Sequence, residues 1–320
     1  MTHLGDFEGA AHLRLAGGGE FDVVRALLAE WGDSAAGIGD DAAVVAVPPG
    51  QQLVVSTDTS LEDAHFRREW LNHFEIGYRS TAAALSDLAA MAAEPLGIFV
   101  ALTLTDGDRA DVSRLAAGIR DAVAPHGCPI LGGDVTRGSK IALTITVMGA
   151  AERPLRRSGS QTGDRVYVTG TLGGPGAALA AWESGAIPSE LHRARFAHPV
   201  ARLAEARHLA AAGATAGIDI SDGLIADIAH LAAANDRRFD IDLEHIPCIG
   251  DVSPLEAAAS GEEYELVVTG SEKLRRDFHT NFGLELTDIG AVSDGAPEVA
   301  LYHHGTRIAA PASFDHFRGE

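Results

Sequence analysis

The sequence predicts a two-domain α/β (α+β) chain, with an N-terminal mixed sheet carrying helices and a C-terminal α/β domain. Three observations lead there. At 320 residues the chain exceeds the roughly 250–300 residues at which a single core stops growing. Runs with strand alternation recur between runs with helical spacing in both halves. Around Glu152–Gly163 that periodicity lapses into Arg, Pro, Ser and Gly, the composition of a linker. The expected divisions are a flexible arm over 1–19, an N-terminal domain over 20–152 and a C-terminal domain over 153–320.

The arm ends in Gly17-Gly18-Gly19, and no Lys-Ser/Thr follows to make a phosphate-binding loop. Phe21, Val23, Val24, Leu27 and Leu28 recur at helical spacing up to Trp31, where Gly32-Asp33-Ser34 stops the helix. Ala43–Val47 and Leu53–Thr57 read as strands of a hairpin turned by Pro48-Pro49-Gly50. A helix over His73–Ala93 ends before Pro95, followed by a strand over Ile98–Thr105, a helix over Val112–Val123 and strands at Ile130-Leu131 and Ile141–Met148. The second half restarts with a strand at Arg165–Thr169. Helices follow near 175–184 and 200–212, then a strand ending near Ser221, a helix over Asp222–Asn235, and strands at Tyr264–Thr269 and Glu285–Ala291.

Hydrophobic residues at 46% and charged residues at 22% are ordinary for a folded soluble protein. The formal net charge of −20 argues against a nucleic-acid partner, which calls for basic patches. A phosphate-bearing ligand then needs metal ions between it and the protein. Cys128 and Cys248 lack metal-ligand spacing and suggest no disulfide framework, which fits a reducing cytoplasm. The start of the chain has no basic segment followed by an apolar run, and no 18 uninterrupted apolar residues occur, so neither secretion nor membrane insertion is expected.

The chemistry lies in five short segments that set acids beside glycine or hydroxyl residues: Gly37–Asp41, Ser56–Thr59, Gly132–Thr136, Asp219–Gly223 and Gly261–Glu265. Asp87 adds a sixth acidic position inside an otherwise apolar helix, outside those five segments. Singly, such an Asp caps a helix and such a Gly supports a turn. Together, acids at strand ends converge on one crevice of an α/β protein, and their hard oxygens suit Mg²⁺, which bridges carboxylates to phosphates. The neighbouring glycines let backbone N–H groups approach phosphate oxygens, while Ser56, Thr57 and Ser221 add further oxygens. Arg157 is either a phosphate-binding fork or a solvated linker arginine. His65 alone carries no assignment.

Taken in order and spacing, GIGDDAAVV at 37–45, STDTSLEDAHF at 56–66, LSDLAAM at 85–91, LGGDVTRG at 131–138, RRSG at 156–159, VTGTLG at 168–173, DISDGLIADIAH at 219–230, GEEYEL at 261–266 and FDHF at 314–317 resemble the thiamine-monophosphate kinase family. That family lies in the superfamily of aminoimidazole ribonucleotide synthetase and selenophosphate synthetase. The resemblance implies a two-domain aminoimidazole ribonucleotide synthetase-like fold and Mg²⁺ ions shared by Asp41, Ser56, Thr57, Asp58, Asp87, Asp134, Asp219 and Asp222. It implies ATP at Gly133, Asp134, Arg157 and Ser221, and thiamine monophosphate at His65, Glu262 and Phe314. It further implies direct in-line transfer without a phosphoenzyme, and a homodimer formed through the N-terminal domains. A cationic thiazolium and an aminopyrimidine suit an aromatic face and a carboxylate. The family has Gly-Val where this chain has Asp63-Ala64, Asn in place of Ala84 and Gly in place of Ala92. An aminoimidazole ribonucleotide synthetase-like enzyme and a non-catalytic nucleotide sensor are the alternatives; the first keeps the fold, the second lacks a reason to retain metal, nucleotide and acceptor segments together.

Overall fold

The computed structural model describes residues 19–105 and 109–309. The chain divides into two compact units, one running to Leu88 and including Glu94–Glu152, the other made of Ala89–Ala93 and Arg153 onward. All of the predicted arm except Gly19 lies outside the described residues, and Gly19 itself opens the first helix.

The first unit contains α1 (Gly19–Trp31), β1 (Gln52–Leu61), α2 (His73–Ala90, ending in the second unit), β2 (Glu94–Leu104), α3 (Arg109–Val123), β3 (Ile130–Arg137) and β4 (Ala142–Ala151). Its sheet has the order β1-β4-β2-β3, antiparallel except for the parallel β2–β3 pair. Strand alternation sorts the sheet into two faces. Val100, Leu102, Leu143, Ile145 and Val147 are fully buried, while Phe99, Ala101, Thr144, Thr146 and Met148 on the opposite face are half-buried. Helical residues Ile76, Leu85, Leu88, Leu115 and Ile119 are buried with the first set. Each such Leu or Ile removed from water stabilises the fold by about 1.5–3 kcal/mol.

The hairpin expected around Pro48-Pro49-Gly50 does not form. Ala43–Val47 has no ladder partner among the described residues, and Val44 is fully exposed. The segment has strand alternation but no strand beside it, and β1 pairs with β4 while its other edge is unpaired among the described residues. Asp63 and Ala92, which stand where the resembling family has glycine, both have left-handed backbone, at φ 68° and 52°.

The second unit contains β5 (Arg165–Thr169), α4 (Gly174–Glu183), α5 (Glu190–Ala197), α6 (Leu203–Ala212), β6 (Ala216–Asp219), α7 (Leu224–Asn235), β7 (Arg238–Asp242), α8 (Pro254–Ala259), β8 (Leu266–Gly270), α9 (Phe278–Phe282), β9 (Leu286–Ser293), β10 (Val299–His303) and β11 (Thr306–Ile308). Its mixed sheet runs β11-β10-β7-β9-β5-β8-β6. Val166, Val168, Ile218, Leu224, Ile228, Leu231, Phe239 and Val267 form its core, and β8 is buried at every position, as an interior strand should be.

Beneath the Thr169 end of β5, Glu265 is 1% exposed and gathers the Thr169 hydroxyl at 2.6 Å, Arg202 Nε at 2.8 Å and Arg195 Nη2 at 3.0 Å. A buried carboxylate is tolerable only with such pairing. This network anchors the segment that leads into β8.

Candidate functional site

In the first unit the acids are not all at strand ends as expected. Ser56, Thr57 and Asp58 lie in the middle of β1, and Asp134 lies inside β3. Alternation therefore divides them between the two sheet faces. Ser56 and Asp58 face the helical layer, where the Ser56 hydroxyl donates to Asp87 Oδ2 at 2.5 Å. Asp87, half-buried within α2, is thus the acid that a helix carries toward a strand rather than toward water. Thr57 points the other way and shares a hydrogen bond with Thr146 at 2.9 Å.

On that other face Asp41 and Asp134 line one cavity of about 350 Å³ with Phe99, Thr144 and Thr146. Gly133 is required beside Asp134 because a Cβ there would meet the Val100 carbonyl oxygen at 1.9 Å. Gly-Gly-Asp at this point is thus a close backbone approach that also delivers an exposed carboxylate. His65 is half-buried, and its Nδ1 accepts the Leu61 N–H at 3.2 Å, which puts the proton of the neutral ring on Nε2.

In the second unit, Asp219 ends β6 and Ser221, Asp222 and Gly223 form the turn into α7. Asp227, in the first turn of α7 and 2% exposed, draws this turn together. Its Oδ2 accepts the N–H groups of Ser221 at 3.0 Å, Asp222 at 3.1 Å and Gly223 at 3.2 Å. Burial pushes the Asp227 carboxyl up to about 7, with the Asp219 and Asp222 charges adding to the rise and the backbone N–H groups opposing it. Such crowding of acids is relieved by a cation, and the ligand atoms of Asp222, Asp227 and His230 lie within 4.8 Å of one another. With the Asp219 charge acting on Asp227 as well, the donors are mostly hard oxygens that fit a divalent cation such as Mg²⁺.

Glu262 lies against the same turn: its N–H donates to the Ser221 carbonyl at 2.7 Å, and the Tyr264 N–H donates to the Ile220 carbonyl at 2.9 Å. Arg157 is exposed. Its loop is held by the other end of α7, where Asn235 Oδ1 accepts the N–H groups of Gly159 at 2.7 Å and Ser160 at 2.8 Å and Asn235 Nδ2 donates to the Arg157 carbonyl at 2.7 Å. A single helix therefore fixes both the 221–223 turn and the Arg157 loop. Phe314 and the FDHF segment lie outside the described residues.

Asp227 and Asn235 went unassigned in the sequence reading. Asp227 carries a signal, for it falls on the apolar stripe Leu224, Ile228, Leu231 of its helix, as Asp87 falls between Leu85 and Leu88. Asn235 carries none, since a polar residue at a helix end is common.

The family model for the AIR synthase related protein N-terminal domain matches residues 39–151, and that for the AIR synthase related protein C-terminal domain matches residues 161–302. The thiamine-monophosphate kinase of Escherichia coli K12 is 33% identical over 300 residues, covering 88% of this chain and 91% of that protein. Among solved structures, the thiamine-monophosphate kinase of Stenotrophomonas maltophilia K279a superposes with a TM-score of 0.79 at 33% identity, over 91% of this chain and 97% of that one. AaThiL complexed with AMPPCP and TMP gives a TM-score of 0.75 at 28% identity, over 93% and 96% of the two chains.

Proposed function

This chain belongs to the thiamine-monophosphate kinase family, and we propose from that premise how its residues carry the transfer of the ATP γ-phosphoryl group to thiamine monophosphate. The observation that carries the reading is the hydrogen bond of 2.7 Å between Glu262 N–H and the Ser221 carbonyl, which sets a proposed acceptor residue beside a proposed nucleotide residue.

In this reading Asp41, Ser56, Thr57, Asp58, Asp87 and Asp134 of the first unit, and Asp219 and Asp222 of the second, hold Mg²⁺. When bound, the metal screens the phosphate charges and lowers the barrier to their approach. Gly133, Asp134, Arg157 and Ser221 bind ATP, with the guanidinium of Arg157 pairing phosphate oxygens. His65, Glu262 and Phe314 bind thiamine monophosphate, the carboxylate taking the hydrogen-bond donors of the aminopyrimidine. Asp227 and Asn235 hold the two loops in place from one helix. The chain offers no need for a side-chain nucleophile, because positioning and charge neutralisation dominate a loose phosphoryl transfer, and one phosphate oxygen of the acceptor attacks the γ-phosphorus in line with the departing ADP.

The reading extends to assembly and location. Residues 20–152 carry the dimer contact, 153–320 supply the remaining ligands, and the enzyme works in the cytoplasm. β1 is an edge strand on which Leu53 and Val55 are about half exposed, and Val44 precedes it fully exposed. An apolar edge of this kind calls for a cover, and a second copy of the chain provides one. The assay that tests the activity supplies radiolabelled ATP, thiamine monophosphate and Mg²⁺ and looks for labelled thiamine diphosphate. ATP binding with no product at saturating acceptor would overturn it.

A further inference from the structure

Glu262 and Tyr264 both have left-handed backbone, at φ 61° and 54°. For residues with side chains this costs about 1–3 kcal/mol each and persists only where the surroundings over-determine it. Glu263 between them supplies the anchor. It is 1% exposed, and its Oε1 accepts the Gly173 N–H and the Ser260 hydroxyl, each at 2.5 Å. With Glu263 pinned inward and the flanking N–H groups tied to Ser221 and Ile220, the side chains of Glu262 and Tyr264 meet. The Tyr264 hydroxyl donates to Glu262 Oε2 at 2.5 Å.

We propose that Tyr264 is a positioning residue that sets acceptor specificity: its hydroxyl fixes the orientation of the Glu262 carboxylate, so that the carboxylate recognises an amino-bearing heteroaromatic cation. This rests on the reading of Glu262 as an acceptor-binding residue. A short, charge-assisted O–H···O⁻ bond is among the stronger hydrogen bonds available to a protein. It holds a half-buried, flexible Glu in one rotamer before the acceptor arrives, which reduces the ordering that binding must accomplish. A carboxylate held in place accepts from an amino group and is repelled by the carbonyl oxygen that a pyrimidine hydroxyl becomes in its oxo tautomer; a mobile one turns away from that oxygen and adapts to either.

The test compares Tyr264→Phe, Glu262→Gln and the double variant, each with its melting temperature, on thiamine monophosphate and on the analogue whose pyrimidine amino group is replaced by hydroxyl. Tyr264→Phe is expected to raise the KM for thiamine monophosphate about tenfold, to move the KM for ATP less than about twofold, and to narrow the discrimination between the two acceptors. The double variant should bind acceptor no worse than Glu262→Gln, because the hydroxyl acts only through the carboxylate. If Glu262→Gln raises the acceptor KM while Tyr264→Phe leaves KM and discrimination unchanged, the inference about Tyr264 falls and the reading of Glu262 stands. If Glu262→Gln leaves the acceptor KM unchanged, that reading falls and takes the inference with it. Equal rises in both KM values, or a double variant showing additive losses, would make Tyr264 a general structural residue and overturn the proposal.

Discussion

The Ser56 hydroxyl donates to Asp87 Oδ2 across 2.5 Å, joining the middle of a strand to the last turn of a helix. As metal ligands, the two residues should differ in weight, the carboxylate supplying charge and the hydroxyl mainly orientation. Asp87→Asn is expected to lower kcat about 100-fold or more and to raise the Mg²⁺ concentration for half-maximal rate, whereas Ser56→Ala lowers activity by about tenfold or less. Initial rates over a Mg²⁺ titration check both, and an Asp87→Asn enzyme with wild-type Mg²⁺ dependence would remove Asp87 from the metal set.

Asn235 provides a handle on the proposed nucleotide loop without touching Arg157's guanidinium. Asn235→Ala removes three hydrogen bonds to Arg157, Gly159 and Ser160. The KM for ATP should rise by about three- to tenfold while the KM for thiamine monophosphate stays within about twofold. Steady-state kinetics with each substrate varied in turn would reveal an equal rise in both, the result that contradicts a selective role.

Glu263 links stability to pH. Burial pushes its carboxyl from 4.5 up to about 7, with the nearby Glu265 charge adding to the rise, while the Ser260 and Gly173 donors and Arg195 oppose it. Its Oε2 lies 3.6 Å from Arg195 Nη2 yet accepts no hydrogen bond among the described residues. Since the folded pKa is the higher one, the contribution is fully present below 4.5 and is lost as pH rises through about 7. Glu263→Gln should therefore gain on the wild type by up to roughly 3 kcal/mol between about pH 4 and pH 8. Urea denaturation at the two pH values measures this, and parallel stability curves would refute it.

Ala92 occupies left-handed backbone at φ 52°. An alanine there costs about 1–2 kcal/mol, and glycine's greater freedom in the unfolded chain takes back about 0.4–1 kcal/mol. Ala92→Gly should then stabilise the protein by roughly 0.5–1 kcal/mol. A melting temperature at or below that of the wild type would show that φ is not strained at this position.

Val55 tests the proposed dimer. It is half exposed on the edge strand β1, and Val55→Lys should convert a dimer to a monomer in sedimentation equilibrium while the circular dichroism spectrum is retained. A wild-type chain that sediments as a monomer would end the assembly proposal.

Where a pattern was local, the sequence displayed it. Arg165–Thr169 is a strand at the bounds its apolar run marks, and the helix ending at Asn235 stops where periodicity stops. What escaped was set by distant partners. Arg238–Asp242, Val299–His303 and Thr306–Ile308 are short strands whose ladders lie with one another or with β9, and Ala43–Val47 has the alternation of a strand with no ladder to join. The same holds at the site. The acidic segments were visible as glycine-flanked motifs, and alternation alone sets Ser56 and Thr57 on opposite faces of a strand, yet nothing local says which of those faces meets the helices, or that Asp227 gathers three N–H groups. Those facts depend on register and on tertiary contact.

The hydrogen bonds from Glu262 and Tyr264 to Ser221 and Ile220 run between two lengths of main chain, and Gly261 is packed so closely that a Cβ would stand 2.7 Å from the Ser221 oxygen. Adding one residue to either length would break the match between the Glu262 and Tyr264 N–H groups and the Ser221 and Ile220 carbonyls. On the proposed acceptor role of Glu262 and Tyr264, a change of acceptor is open to substitution at those two positions and closed to insertion or deletion, so the segment would behave as a fixed-length reading frame for the acceptor.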